Sequence, residues 1–328
     1  MAVLVTGGAG YIGSHMVLAL VDAGEEVVVL DNFSTGFDWA VDGRATLEPG
    51  DVGDVDRVRS LIDKHGIAEI IHFAGSIIVS ESVAEPLRYY ANNASKSRNL
   101  IEAAVAGGVK HFIFSSTAAV YGMPGLEPAV EETPLRPISP YGRSKLMTEW
   151  MLQDAASVHP LTYGALRYFC VAGADPGGRA GESTAVATHL IKVACQAALG
   201  RRPAIQIYGT DYETPDGTCV RDYIHVSDLI AAHALMLGHL RAGGESTTLN
   251  CAYGRGYSVR EVIDAVRRVS GVDFVAEEAP RRAGDPAFVT ATGEKLRRVL
   301  GWVPKHDDLD KIVQDSLAWE RHLMMRNA

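Results

Sequence analysis

Five short apolar runs mark the first half of the chain: Val3–Val5, Val27–Leu30, Ile70–Phe73, Phe112–Phe114 and Ala165–Phe169. They are rich in Val, Ile and Phe and nearly continuous rather than alternating, which is how a parallel strand buried on both faces reads. Between them lie longer stretches with helical spacing of apolar residues, at Tyr11–Ala23, Val55–His65, Pro86–Ala106 and Pro140–Val158. The β-α-β-α succession predicts a doubly wound parallel sheet with right-handed crossovers.

The texture changes after Phe169. Cys170–Thr184, Gly209–Thr218 and Ala279–Pro286 read as loops, and helices are expected at Ala187–Leu199, Val226–Leu240 and Val259–Ser270. This predicts a large N-terminal α/β domain, residues 1–172, and a smaller, loop-rich α/β substrate region, residues 173–328, that closes over it. Segment 217–250 is expected to return to the first domain. A chain of 328 residues suits two domains at ~100–200 residues each.

Charge narrows the partners. With 31 Lys and Arg against 40 Asp and Glu, the net charge is −9, which argues against a general binder of nucleic acid or of anionic membrane. An anionic ligand would need positive charge gathered in one pocket. No apolar run approaches the ~18 residues that span a bilayer, and Met1–Thr6 leads straight into a strand without the basic start of a signal peptide. Cys170, Cys195, Cys219 and Cys251 form no CxxC pair, and no His, Cys or carboxylate cluster has metal spacing. A reduced, cytoplasmic protein without disulfides or metal is expected.

Directly after the first strand comes Gly7-Gly8-Ala9-Gly10-Tyr11-Ile12-Gly13. Such a turn lets the backbone approach a pyrophosphate with no Cβ in the way, and the following helix points free N–H groups at the phosphates. Asp31 lies 18 residues beyond Gly13, where a carboxylate accepts ribose hydroxyls and repels a 2′-phosphate. The reading is a Rossmann-like domain that takes NAD rather than NADP.

Tyr141 and Lys145 are four apart and share a helix face. Ser139 and Pro140 suit the N-cap and first position of that helix, so Tyr141 sits in its first turn. To act as a base near neutrality, a phenol needs its pKa lowered by about 3 units, and the ammonium, the helix end and a positively charged nicotinamide are candidates to do so. Such a pair alone reads as surface. Ser115-Ser116-Thr117 changes that reading, because it ends a strand at the carboxyl edge where doubly wound sheets bind ligands. Thr117 is the hydroxyl to place beside Tyr141.

With Ser139–Lys145, Arg167-Tyr168-Phe169, Gly209-Thr210-Asp211-Tyr212, Val220–Val226 and Ala279–Asp285, the chain resembles the UDP-glucose 4-epimerase (UDP-galactose 4-epimerase) family of the extended short-chain dehydrogenase/reductase superfamily. The likeness runs from the first strand to about Asp285. It implies a UDP-sugar substrate whose 4-hydroxyl loses its proton to Tyr141 while NAD takes the C4 hydride, giving a 4-ketose that turns and is reduced on its other face. It implies that Gly7, Gly10, Tyr11, Ile12, Gly13, Asp31 and Asn32 hold NAD, with Asp51 and Val52 at the adenine. Phe73, Ala74, Gly75, Ser115, Tyr168 and Asn92 (or Asn93) would complete the cofactor site, and Lys145 would hold the nicotinamide ribose. Thr117, Cys170, His189, Arg221, Arg282 and Asp285 would form the substrate site, the two arginines on the diphosphate and Asp285 on the uridine ribose. His72 and His225 are read as structural, and a homodimer through Tyr89–Ala106 and Lys145–Val158 is implied.

The chain departs from the family pattern in places. Ile77 replaces a common Lys, Cys170 a common Asn, and His189 a frequent Asn. Val289 stands where side-chain size limits the C2 substituent of the sugar, so N-acetylated sugars enter as an alternative substrate, as do UDP-pentoses. Thr117-Ala118-Ala119 lacks the acid/base carboxylates of a 4,6-dehydratase. A silent NAD-binding regulator is the remote alternative, since such relatives lose the Tyr/Lys pair kept here.

Overall fold

The computed structural model describes residues 2–185, 187–282 and 285–326. In chain order the first half gives β1 (Ala2–Thr6), α1 (Tyr11–Asp22), β2 (Val27–Asp31), β3 (Thr46–Pro49), α2 (Val55–His65), β4 (Ile67–His72), α3 (Val79–Ala84), α4 (Pro86–Tyr89), α5 (Lys96–Ala106), β5 (His111–Ser115), α6 (Pro140–Val158) and β6 (Thr162–Tyr168). The second half gives β7 (Cys170–Ala172), α7 (Leu190–Ala198), β8 (Ala204–Tyr208), β9 (Val220–His225), α8 (Val226–Arg241), β10 (Thr247–Cys251), β11 (Gly256–Ser258), α9 (Val259–Ser270), β12 (Val275–Ala279), β13 (Phe288–Val289), α10 (Glu294–Leu300) and α11 (Leu309–Arg326).

Seven strands form one parallel sheet in the order β10-β6-β5-β4-β1-β2-β3. The continuous apolar runs are explained by cores on both faces. Val3, Val5 and Val29 pack on one side, and Leu4, Val28 and Leu30 on the other. The chain order reverses between β1 and β4, which makes a crevice at their carboxyl ends, the usual ligand position of such sheets. Thr6 pairs in register with His72 there, and its hydroxyl meets the His72 Nδ1 at 2.7 Å.

A second sheet, β11-β9-β13 with β7 also on β9, stands beside the first, and β8 pairs with β12. Strand β6 runs almost directly into β7, so one stretch of chain passes from the first sheet to the second. Strand β9 lies in the second sheet, whereas β10 lies on the edge of the first.

Three local features differ from the pattern-based expectation. Pro86–Ala106 is not one helix: a π-helical turn at Tyr90–Ser95 separates α4 from α5. Cys170–Ala172, read as loop, is a strand. The edge strand β3 and the short strands and last two helices of the C-terminal region were not signalled by the apolar runs. Strands such as Thr-Leu-Glu-Pro and Val-Ala-Glu-Glu-Ala are too polar and half exposed to register.

Candidate active site

The turn after β1 is shaped by the absence of side chains. Gly7 has φ +71°, and a Cβ there would lie 2.6 Å from the backbone nitrogen of Ala74. A Cβ on Gly13 would lie 2.1 Å from the Gly7 carbonyl oxygen. Gly10 is the N-cap of α1 and brings no capping side chain, so the first N–H groups of the helix stay available to an anion. Asp31, 8% exposed, accepts from the N–H groups of Ala9 at 2.9 Å and Phe33 at 2.8 Å. A carboxylate offers about four lone-pair sites, which leaves two for ribose hydroxyls. The cradle therefore fits a dinucleotide.

Around it, Asp51 is fixed by Gly53 N–H at 2.8 Å, Asn32 at 3.1 Å and Lys96 at 2.5 Å, while Val52 is buried. Tyr11 and Ile12 are half-buried at the start of α1, and the Tyr11 hydroxyl donates to the Gly173 carbonyl at 2.7 Å, tying this turn to the segment after β7. Phe73, Ala74 and Gly75 follow β4 at the crevice. Of the two asparagines in the π turn, Asn93 is the one facing Gly75 and Lys145. It is 2% exposed and holds Ser76 through both backbone groups, at 2.8 and 2.9 Å. Asn92 instead donates to the Ser76 hydroxyl at 2.9 Å. The side chain of Ile77 is exposed.

The helix α6 begins as expected: Ser139 accepts from Gly142 N–H at 3.2 Å and Pro140 opens the first turn. Thr117 faces the Tyr141 phenol, and its hydroxyl also accepts from Ala119 N–H at 3.1 Å. Lys145 is buried, donates to the Ser115 carbonyl at 2.8 Å and lies 4.9 Å over the Phe114 ring. Burial brings its ammonium down to about 8, with Glu149 opposing. Burial raises the Tyr141 pKa, and the hydrogen bond with the Thr117 side chain opposes the rise; the Lys145 ammonium faces the Ser115 carbonyl and the Phe114 ring. The Ser115 and Tyr168 hydroxyls are hydrogen-bonded to one another.

The substrate-side residues fall into three groups. Arg221 donates to Asp285 at 2.5 Å, and Cys170 in β7 is next to this pair, its thiol pushed up to about 11 by burial. Val289 pairs in register with Arg221 across β9 and β13. Arg282 is exposed and lies 3.7 Å over the ring of Tyr208. His189, the N-cap of α7, stands with Glu182 at 2.8 Å, whose carboxylate raises the imidazole pKa.

The fold also assembles residues that spacing did not single out. Arg167 grips Glu149 through two bonds, at 2.9 and 2.6 Å, one turn beyond Lys145 on the same face of α6. His225, His306 and Asp315 come together from distant positions within 4.8 Å. Both His225 nitrogens already have partners, Ser227 N–H and Asp315, and Lys311 takes the other Asp315 oxygen.

The NAD dependent epimerase/dehydratase family matches this chain over residues 3–252. The UDP-glucose 4-epimerase of Azospirillum brasilense is 56% identical, over 98% of this chain and 92% of its own length. Among solved structures, UDP-glucose 4-epimerase from Brucella ovis in complex with NAD is 43% identical with a TM-score of 0.92, covering 96% of each chain. The UDP-Glc/GlcNAc 4-epimerase of Campylobacter jejuni is 45% identical with a TM-score of 0.85, covering 98% of this chain and 99% of that one.

Proposed function

The chain belongs to the NAD dependent epimerase/dehydratase family, and we propose that it interconverts UDP-galactose and UDP-glucose by inverting C4 of the sugar. The observation that carries this reading is the meeting of Tyr141, Thr117 and Lys145 at the carboxyl edge of the sheet, beside a glycine cradle that fits NAD.

In this reading Gly7, Gly10 and Gly13 admit the pyrophosphate, Asp31 holds the adenosine ribose and Lys145 the nicotinamide ribose. When bound, NAD supplies a transient acceptor for the C4 hydrogen with its electron pair and a positive ring beside the phenol. Tyr141 accepts the proton of the 4-hydroxyl and returns it after the sugar has turned, while Thr117 orients that oxygen. Arg221 and Arg282 hold the diphosphate and Asp285 the uridine ribose. Binding energy from this remote clamp leaves the hexose loosely held and free to present either face. Gathering the arginines there also lets an acidic protein bind an anion.

The test is purified protein mixed with UDP-galactose and no added cofactor. Formation of UDP-glucose, with NAD released on denaturation, is the expected result. No conversion even with added NAD overturns the reading and favours a non-catalytic NAD binder.

A wider sugar range is a second reading. Val289 is mid-sized, and a relative of this chain is named for both UDP-Glc and UDP-GlcNAc. Turnover of UDP-N-acetylglucosamine supports it, and none ends it. UDP-pentoses are assayed alongside, since the same residues would serve them. None of the helices described is long and apolar enough to cross a membrane, and all four cysteines are unpaired.

A further inference from the structure

We propose that Glu149, clamped by Arg167 and Ser116, is a positioning residue that sets the geometry and charge of Lys145 and Tyr141; this rests on the epimerase reading of that pair. Tyr141, Lys145 and Glu149 are successive turns of one face of α6. Glu149 and Arg167 are each 5% exposed. The guanidinium bonds both carboxylate oxygens, and the Ser116 hydroxyl donates to the same carboxylate. On its other side Arg167 donates to the Tyr121 hydroxyl at 3.0 Å, which donates to Asn250 at 2.7 Å on β10.

What distinguishes this cluster from an ordinary buried ion pair is where its anchors lie. Ser116 sits between Ser115, which takes the Lys145 ammonium on its carbonyl, and Thr117, which faces Tyr141. Arg167 immediately precedes Tyr168, which bonds Ser115. Arg167 and Tyr168 are successive residues of β6 and point to opposite sides, so Glu149 grips β6 next to Tyr168 and, through Ser116, the turn after β5 that carries Thr117. A buried ion pair of this kind is commonly no more stabilising than apolar residues of similar volume. Fixing geometry is therefore the better account of why the polar pair is built in here.

Charge acts in the same place. The groups around Lys145 are Glu149 on its own helix, the neutral His72 on β4, the Phe114 ring and Ser115 carbonyl on β5, and, across Gly75, Asn93 in the π turn; Tyr141 lies one turn back on the same helix face. Glu149 is the one anion among them and favours the ammonium. In the proposed reaction the ammonium form is the one that holds the nicotinamide ribose, so activity falls as pH rises through the Lys145 pKa.

Two variants of the full-length protein test this. Glu149→Gln keeps the shape but removes the charge, and the alkaline limb of the kcat profile moves to lower pH by about one unit. The double variant Glu149→Leu with Arg167→Met removes the clamp without leaving a lone buried charge. It is expected to melt no lower than the parent, yet lose about tenfold or more in kcat with KM nearly unchanged. A folded double variant turning over at parental kcat overturns the proposal, and so does an unmoved alkaline limb in Glu149→Gln. Parental turnover of UDP-galactose tests the epimerase reading separately; only the ratio of variant to parent tests Glu149.

Discussion

Thr117 is the side chain that meets the Tyr141 hydroxyl, so removing that oxygen leaves the packing almost untouched while deleting the proposed base. Tyr141→Phe is expected to fold normally, retain NAD and lose about 10³-fold in kcat; undiminished UDP-galactose turnover by this variant sinks the scheme. Cys170 makes a complementary case. Its thiol stays neutral because burial lifts it to about 11, and it lies by Arg221 and Asp285, where a thiol is a weak donor. Cys170→Asn supplies an amide donor and is expected to lower KM for UDP-galactose about tenfold. A steady-state KM that is unchanged or higher places the thiol off the diphosphate. At this scale the legible residues were those whose chemistry is local in sequence: the three spaced glycines, Asp31, Tyr141 with Lys145, and Thr117 at a strand end. Glu149 was hidden although it continues the Tyr141 and Lys145 spacing, because its meaning comes from Arg167 on β6. Spacing gives no rotamer, so it could not show that the Lys145 ammonium reaches the Ser115 carbonyl.

Helices with strong apolar periodicity, α2 and α9, were legible nearly to the residue, and the start of α6 was legible from its Ser139 cap and Pro140, whereas elements held by polar or tertiary contacts were not. The break between α4 and α5 is one such case: π turns at functional sites follow from local constraints, here Asn92 and Asn93 reaching back to Ser76. Helices α7 and α11 show another. Lys192, in the first turn of α7, is 4% exposed and pairs with Glu320 of α11, which is 2% exposed and also accepts from Arg201 at 2.7 Å. Lys192 further donates to the Glu182 carbonyl at 2.5 Å, beside the carboxylate that holds His189. Glu320→Ala leaves a buried ammonium with no anion and is expected to cost about 3–5 kcal/mol, read as a lower denaturant midpoint. Lys192→Met with Glu320→Leu should recover most of that loss. If Glu320→Ala unfolds at the parental midpoint, the ion pair does not dock α11.

At the scale of the whole molecule, the sheet is completed by β10 from residues 247–251, after the chain has left for the second sheet and returned. Segment 217–250 was expected to return to the first domain; β10 pairs with β6 there, whereas β9 lies in the second sheet, because pairing partners are not encoded in a strand's own pattern. The same holds for surfaces. Helix α6 turns Tyr141, Lys145 and Glu149 inward, and its opposite side carries Met147 at 37% exposure and Trp150 at 52%. Ile101 and Val105 of α5 and Met151 and Ala155 of α6 line a shallow groove on this outer surface. A large exposed aromatic beside such a groove is the composition of an interface core, and a second copy of the chain offering the same face would form an isologous pair. The protein is expected to sediment as a dimer at micromolar concentration. Trp150→Glu with Met147→Glu should shift it toward the monomer, while leaving the inward face, and hence retained NAD, in place. A parental protein that sediments as a monomer removes the helix pair as an interface, and a double variant that stays dimeric moves the interface to another surface.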